Sequence, residues 1–174
     1  LFLNGGSDTT RHVIAGGTLA LLQHPDQLEC LRADRSLLPT AIEELVRWVT
    51  PLLNMRRTAT VDVELRGKKI RAGEQVLLMY AAANRDEDVF VEPQRFDIAR
   101  SPNPHLAFGI GAHFCMGANI ARLELRCVFN AILDRLPVVD FNIEDIPVEE
   151  GIALLSAREQ NILRWRFGMS GEKE

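Results

Sequence analysis

Phe108-Gly109-Ile110-Gly111-Ala112-His113-Phe114-Cys115-Met116-Gly117 is the stretch that decides how this chain folds and what it holds. Glycines punctuate a tight turn that delivers one cysteine to the start of a helix expected over residues 116–136, where Ile120, Leu123, Val128 and Ile132 are apolar. At average glycine usage, three glycines at fixed places arise by chance about 3 times in 10,000. At a helix start, unpaired N–H groups and the positive end of the dipole stabilise a thiolate. Such a thiolate, with glycines allowing close backbone approach, suits the single axial position of a metal macrocycle. A small buried cysteine in a tight turn is the commoner fate of a lone cysteine and stands beside that reading. A phosphate loop is excluded, because Gly109-x-Gly111-x-x ends in Phe114 and does not open from a clear strand. A zinc site built from His105, His113, Cys115 and Cys127 also fails. Their spacing fits no CxxC framework, and Cys127 lies well inside the helix.

The rest of the composition is that of an ordinary globular protein. The 174 residues carry 20 Lys+Arg and 24 Asp+Glu, a formal net charge of -4, which excludes a clustered basic footprint for nucleic acid. Hydrophobic residues at 47% and charged residues at 25% exclude disorder as the main state. A compact domain of this size buries roughly 70% of its unfolded surface. No apolar run reaches the ~18 residues that span a bilayer. Three cysteines, Cys30, Cys115 and Cys127, are too few and too odd for a disulfide scaffold. The chain opens Leu1-Phe2-Leu3-Asn4-Gly5-Gly6, without Met or a capping residue, so it is expected to be a piece of something longer.

Upstream, residues 2–23 are expected to form a helix. Ala15, Leu19 and Leu22 fall at helical spacing, as do Ile14 and Leu21. Gly5-Gly6 costs on the order of 1 kcal/mol per glycine inside a helix, and close approach of a flat ligand would account for it. His24-Pro25-Asp26 ends this helix and opens a short one reaching about Arg32. A third helix is expected over 36–48, closed by Pro51. Short strands follow at 58–60, 63–65, 69–70 and 76–78, with turns at Arg66-Gly67 and Ala72-Gly73. Residues 84–107, with Pro93, Pro102 and Pro104, are expected as a meandering coil. Further strands are expected at 138–141, 153–155 and 162–165.

The cysteine stretch, followed by Ala121-Arg122, resembles the haem-binding loop of the cytochrome P-450 family, the haem-thiolate monooxygenases, with Met116 in place of the usual leucine. The resemblance runs from the middle of that family's central helix to the end of the chain. It implies a mixed α/β fold, mainly α-helical, with small β-sheets: residues 1–174 as the C-terminal portion of one such domain, its N-terminal half absent. It implies haem b, with Cys115 as the axial ligand of the iron. Phe108, Gly109 and Gly117 would shape the loop around the haem, and Arg57 and His113 would bind its propionates. Arg56 competes with Arg57, but strand alternation turns it to the other face. Gly5 would admit the haem face, and Asp8 and Thr9 would relay protons to bound oxygen. An N-cap or helix irregularity is the plainer reading of Asp8-Thr9. Glu44, Arg47 and Arg95 would form the family's structural Glu-Arg-Arg triad, where a lone ExxR is by itself an exposed surface pair.

The implied activity is insertion of one atom of O2 into a C–H bond of a hydrophobic substrate, with electrons from a ferredoxin-type or flavoprotein donor. Arg122 and Arg126 either form part of a docking face for that donor or belong to a solvated helix face. Leu52, Leu53, Asn54 and Met55, and the turn near Leu154-Leu155, fall where the family lines its pocket. The Asn54-Met55-x-Arg57 run and His105-Leu106-Ala107-Phe108 look most like soluble bacterial members acting on steroids or branched lipids, which implies a cytoplasmic protein. A terpene or polyketide substrate fits as well. The alternative is a truncated haem-binding or structural module without turnover.

Overall fold

Helix formation at the start of the chain is set by what flanks it. The computed structural model describes residues 2–135, all within one compact unit, Leu1–Pro137. Its first helix, α1 (Phe2–Gln23), ends where Pro25 takes the first position of α2 (Pro25–Ala33). His24 sits at that joint. Its Nδ1 donates to the Ala20 carbonyl at 2.8 Å, and its ring packs against both Trp48 and Phe96. Asp34 then accepts from the Ser36 amide, nucleating a 3-10 turn (Arg35–Leu37) before α3 (Leu38–Val49). This local cap delays the third helix by two residues relative to the expected start.

Helix α3 is the hub. Leu38, Ala41, Ile42, Leu45 and Val46 are buried against α1 and against α5 (Ala118–Arg135). Close approach of α1 depends on Gly17, where an added Cβ would lie 3.0 Å from Phe129 and 3.1 Å from Leu45. The buried stripe of α1 is therefore Val13, Gly17, Ala20 and Leu21. The expected pairing of Ala15 and Leu19 with Leu22 is corrected: Leu19 is 45% exposed. In α5, too, the buried stripe is not the expected one. Leu125, Phe129 and Leu133 are buried, whereas Ile120 and Leu123 are exposed and Val128 and Ile132 half-buried. Periodicity found both helices but could not choose between neighbouring apolar stripes, since each carries two.

Two small antiparallel sheets follow α3. β1 (Asn54–Thr58) pairs with β4 (Gln75–Met79), Arg56 opposite Leu77 and Arg57 opposite Val76. β2 (Val63–Leu65) and β3 (Lys68–Ile70) form a hairpin closed by Arg66 and Gly67, both at positive φ. The expected strand at 58–60 is thus displaced to Asn54–Thr58. Two adjacent arginines hid it, and they are tolerated because the ribbon is largely exposed. A short helix, α4 (Tyr80–Ala83), leads into the coil over 84–107. The strands expected at 138–141, 153–155 and 162–165 lie outside the described residues.

Candidate functional site

The best-buried charges among the described residues lie on α3. Arg47 donates from Nε to Glu44 Oε2 and from Nη2 to Glu44 Oε1, both at 2.7 Å, and neither side chain is exposed. Spacing of three residues puts the pair on one helical face, and the fork-to-carboxylate geometry satisfies both groups. The guanidinium is then spent on the coil: Nη1 donates to the carbonyls of Asn84 (2.8 Å) and Pro93 (2.9 Å), and Nη2 to that of Arg95 (3.3 Å). Glu44 in turn accepts from the Asp97 amide at 3.0 Å and from Asn103 Nδ2 at 3.1 Å.

The third member expected for this cluster is corrected. Arg95 contributes its carbonyl, while its side chain turns outward to Glu92 at 3.2 Å and is 60% exposed. Arg100 takes the inner place. Its Nε lies 3.2 Å from Glu44 Oε2, and its Nη groups donate to the carbonyls of Val91, Glu92 and Arg95. The turn at Glu92, held at φ 47 with the Arg95 amide donating to its carbonyl, carries the Arg95 side chain away from α3. Asn84 is a second inner residue that the sequence did not single out. It is fully buried, donates to Thr50 Oγ1 (2.9 Å) and accepts from the Leu106 amide (2.7 Å), tying α3 to the approach of the cysteine loop. A buried polar residue inside a coil leaves no periodic signal.

The cysteine loop hangs from this frame. Gly109 and Gly111 stand at φ 71 and 68, conformations that side chains rarely adopt. They let the Cys115 amide donate back to the Phe108 carbonyl at 2.8 Å, while Ala118 at the start of α5 donates to the Cys115 carbonyl. Gly117 leaves open the space beside the sulfur, since a Cβ there would lie 3.9 Å from Cys115 Sγ. The thiol itself is free and exposed. His113, in the 3-10 turn Gly111–His113, is also exposed. On β1, Arg57 is half-buried with Nη1 donating to the Arg56 carbonyl, and Arg56 bonds Gln75 at 3.2 Å.

On α1, Thr9 Oγ1 donates to the Gly5 carbonyl at 2.7 Å, and Asp8 pairs with Arg11 at 2.7 Å. A Cβ at Gly5 or Gly6 would meet nothing within 4 Å. The helix therefore carries glycines there that its own packing does not need.

Glu43, next to Glu44 but on another side of α3, holds a separate group. Arg122 donates to its Oε1 and Oε2 at 2.6 and 2.8 Å, and His105 Nε2 reaches Oε2 at 3.0 Å. Partial burial would raise the Glu43 carboxyl, but these hydrogen bonds outweigh it and hold the group at about 2. The hydrogen bonds to Glu43 likewise raise the Arg122 guanidinium. Arg122 is thus engaged inside the fold, while Arg126 is exposed.

The family model for cytochrome P450 matches residues 1–163. The chain belongs to the cytochrome P450 family. It is 53% identical over 137 residues to a steroid C26-monooxygenase of Mycolicibacterium smegmatis, covering 79% of this chain and 34% of that protein. It is 49% identical over 158 residues to a methyl-branched lipid omega-hydroxylase of Mycobacterium bovis, covering 90% of this chain and 36% of that one. Among solved structures it resembles a Mycobacterium marinum cytochrome P450 in complex with pseudoionone, with a TM-score of 0.75 and 51% identity, covering 77% of this chain and 33% of the other. The chain thus spans about a third of the length of the relatives it matches.

Membership in the cytochrome P450 family implies a haem, and the donor set fits one. A free, exposed thiol is offered from a loop that two left-handed glycines shape, and α1 presents an open glycine face. Among the described residues no cluster of His, Cys, Asp and Glu could hold a bare metal ion, and no helix is long and apolar enough to cross a membrane.

Proposed function

We propose that the protein to which this chain belongs is a haem-thiolate monooxygenase that hydroxylates a hydrophobic steroid or branched lipid. The observation that carries the proposal is Cys115, free and exposed in a loop whose turn is built for close approach. Bound haem would supply activation of O2 by electrons received one at a time from a ferredoxin-type or flavoprotein donor, with the Cys115 thiolate strengthening O–O scission.

The chain's own residues have narrower tasks. Cys115 ligates the iron, and its amide, committed to the Phe108 carbonyl, fixes the direction of the Cα–Cβ bond. Arg57 and His113 pair with the haem propionates, the arginine as a two-pronged donor and the histidine through a ring N–H. Gly5 keeps the backbone of α1 bare where the cofactor face approaches. Thr9, whose hydroxyl rests on the Gly5 carbonyl, and Asp8, whose carboxylate rests on Arg11, relay protons toward the oxygen. Glu44, Arg47 and Arg100 act structurally, by tying the coil to α3.

The apolar run ahead of and within β1 supports this substrate class. Leu52, Leu53 and Met55 are exposed, and Leu78, opposite Met55, continues that apolar surface. Unpartnered apolar side chains of this kind suit an alkyl chain or ring system. The names of the relatives point the same way. The test is product analysis of the full-length holoprotein, with a donor system, on a steroid bearing a branched side chain and on a methyl-branched fatty acid. A product heavier by one oxygen, labelled from 18O2, is the expected result. Absence of labelled product from both classes while the donor still reduces the haem would overturn the substrate assignment.

A further inference from the structure

We infer that Glu43 is a positioning residue for the cysteine loop, acting on Cys115 through Arg122 and Phe108. The inference rests on the reading of Cys115 as the haem ligand, and begins from a division of labour on α3. Glu43 and Glu44 are adjacent, so their side chains leave the helix about 100° apart. Glu44 serves the coil, as described above. Glu43 gathers a residue from α5 and a residue from the approach to the cysteine loop onto a single carboxylate.

What these two residues hold in common is Phe108. Arg122 Cζ stands 4.5 Å from the centre of the Phe108 ring, within cation–π range. His105 packs on the same ring with centroids 5.8 Å apart. The orientation of His105 is fixed at both nitrogens: Nδ1 accepts from the Ala107 amide at 3.3 Å, so Nε2 carries the proton and donates it to Glu43. The ring of His105 is 3% exposed, which leaves water little access to replace that acceptor. Phe108 is also the residue whose carbonyl receives the Cys115 amide at 2.8 Å. The connection is therefore continuous: carboxylate, guanidinium and imidazole, aromatic ring, backbone carbonyl, ligand amide.

Removal of the Glu43 charge frees Arg122 to swing into water, strands the His105 Nε2–H, and releases two walls of the Phe108 ring. The carbonyl that aligns Cys115 is then held by the loop alone. Groups directly behind a metal ligand typically change affinity by 10–100-fold when removed, and Glu43, further back, should act at the low end of that range. A purely architectural role for Glu43, joining α3 to α5, would instead lower stability and leave the ligand's environment unchanged.

The two roles are separated with the full-length holoprotein and the variants Glu43→Gln and Arg122→Lys, each also made in a Phe108→Leu background. Haem transfer to an excess of apomyoglobin, the reduction potential and the ferric low-spin resonance spectrum are measured beside thermal unfolding. Expected are haem transfer about tenfold faster, a displaced potential and broadened resonance lines in both single variants. In the Phe108→Leu background the same substitutions should add little, because the ring through which they act is gone. Unchanged transfer, potential and resonance spectrum in the folded variants overturn the inference, as do effects of undiminished size without Phe108. If Glu43→Gln yields no holoprotein, Arg122→Lys alone carries the same comparison. Failure of the ligand reading itself is recognised separately: the parent protein's reduced, carbon monoxide-bound Soret band would then lie at the histidine-type position.

Discussion

Glu44 and Arg47 share two 2.7 Å hydrogen bonds with no exposure to water, three residues apart on the most deeply buried helix of the unit. A pair of this kind owes its value to completeness. Separated, either member is an uncompensated buried charge, and breaking such a pair costs about 3–5 kcal/mol. Glu44→Ala in the full-length protein should therefore abolish stable holoprotein, read as haem-to-protein ratio after purification. A normal yield would remove the structural role assigned to the pair.

The outer and inner arginines of the coil make a sharper comparison. Arg95→Ala loses only an exposed contact with Glu92, and should change stability by less than about 0.5 kcal/mol. Arg100→Ala strips a charge from Glu44 and donors from three carbonyls, and should be among the most destabilising single changes in the coil. Urea midpoints of the two variants provide the measurement. Equal losses, or a reversed order, would refute the inner position of Arg100.

Glycines at two places on α1 should respond in opposite ways. Gly17→Ala drives a methyl to 3.0 Å from Phe129 and 3.1 Å from Leu45, and such overpacking typically costs 1–3 kcal/mol. Gly5→Ala meets nothing and should raise helix stability by about 0.5–1 kcal/mol, while weakening haem retention. Thermal unfolding with and without haem checks both. A Gly5→Ala variant that binds haem as tightly as the parent would show that the open face is not the cofactor side.

Acid stability has a defined sign. Hydrogen bonds from Arg122 and His105 outweigh partial burial and lower the Glu43 carboxyl from 4.5 to about 2. A depressed carboxylate contributes stability that is fully present above about pH 4.5 and is lost as pH falls towards 2. Glu43→Gln should therefore flatten the acid limb of a stability–pH curve between those values. An identical acid limb in parent and variant would contradict the ionised network.

Thr9→Ala removes the hydroxyl that rests on the Gly5 carbonyl. Oxygen consumption by the complete system should persist while reducing equivalents appear increasingly as peroxide. Unchanged coupling of electrons to product would exclude a proton-holding role for Thr9.

How much of this was legible in sequence divides along physical lines. The cysteine loop could be read because positive-φ turns demand glycine at Gly109 and Gly111, a constraint that shows in the residue type itself. The His24-Pro25 helix joint and the turns at Gly67 and Gly73 were legible for the same local reasons. Helix faces were less so: α1 and α5 each carry two apolar stripes, and only tertiary packing selects Gly17 or Phe129. The choice of Arg100 over Arg95 depends on a turn at Glu92 that no spacing rule encodes. Asn84 and Glu43 act across 22 and 79 residues of chain, to Leu106 and Arg122, and such distant polar pairing is invisible to periodicity. The family resemblance supplied roles for residues whose own pattern was ambiguous, such as Asp8 and Thr9.

The measurement that tests the central claim most directly is the absorption spectrum of the full-length, haem-loaded protein, reduced and exposed to carbon monoxide. Ligation by the Cys115 thiolate predicts a strongly red-shifted Soret band, and Cys115→His should move it to the ordinary position. A parent protein whose band already lies at the ordinary histidine-type position would contradict the account.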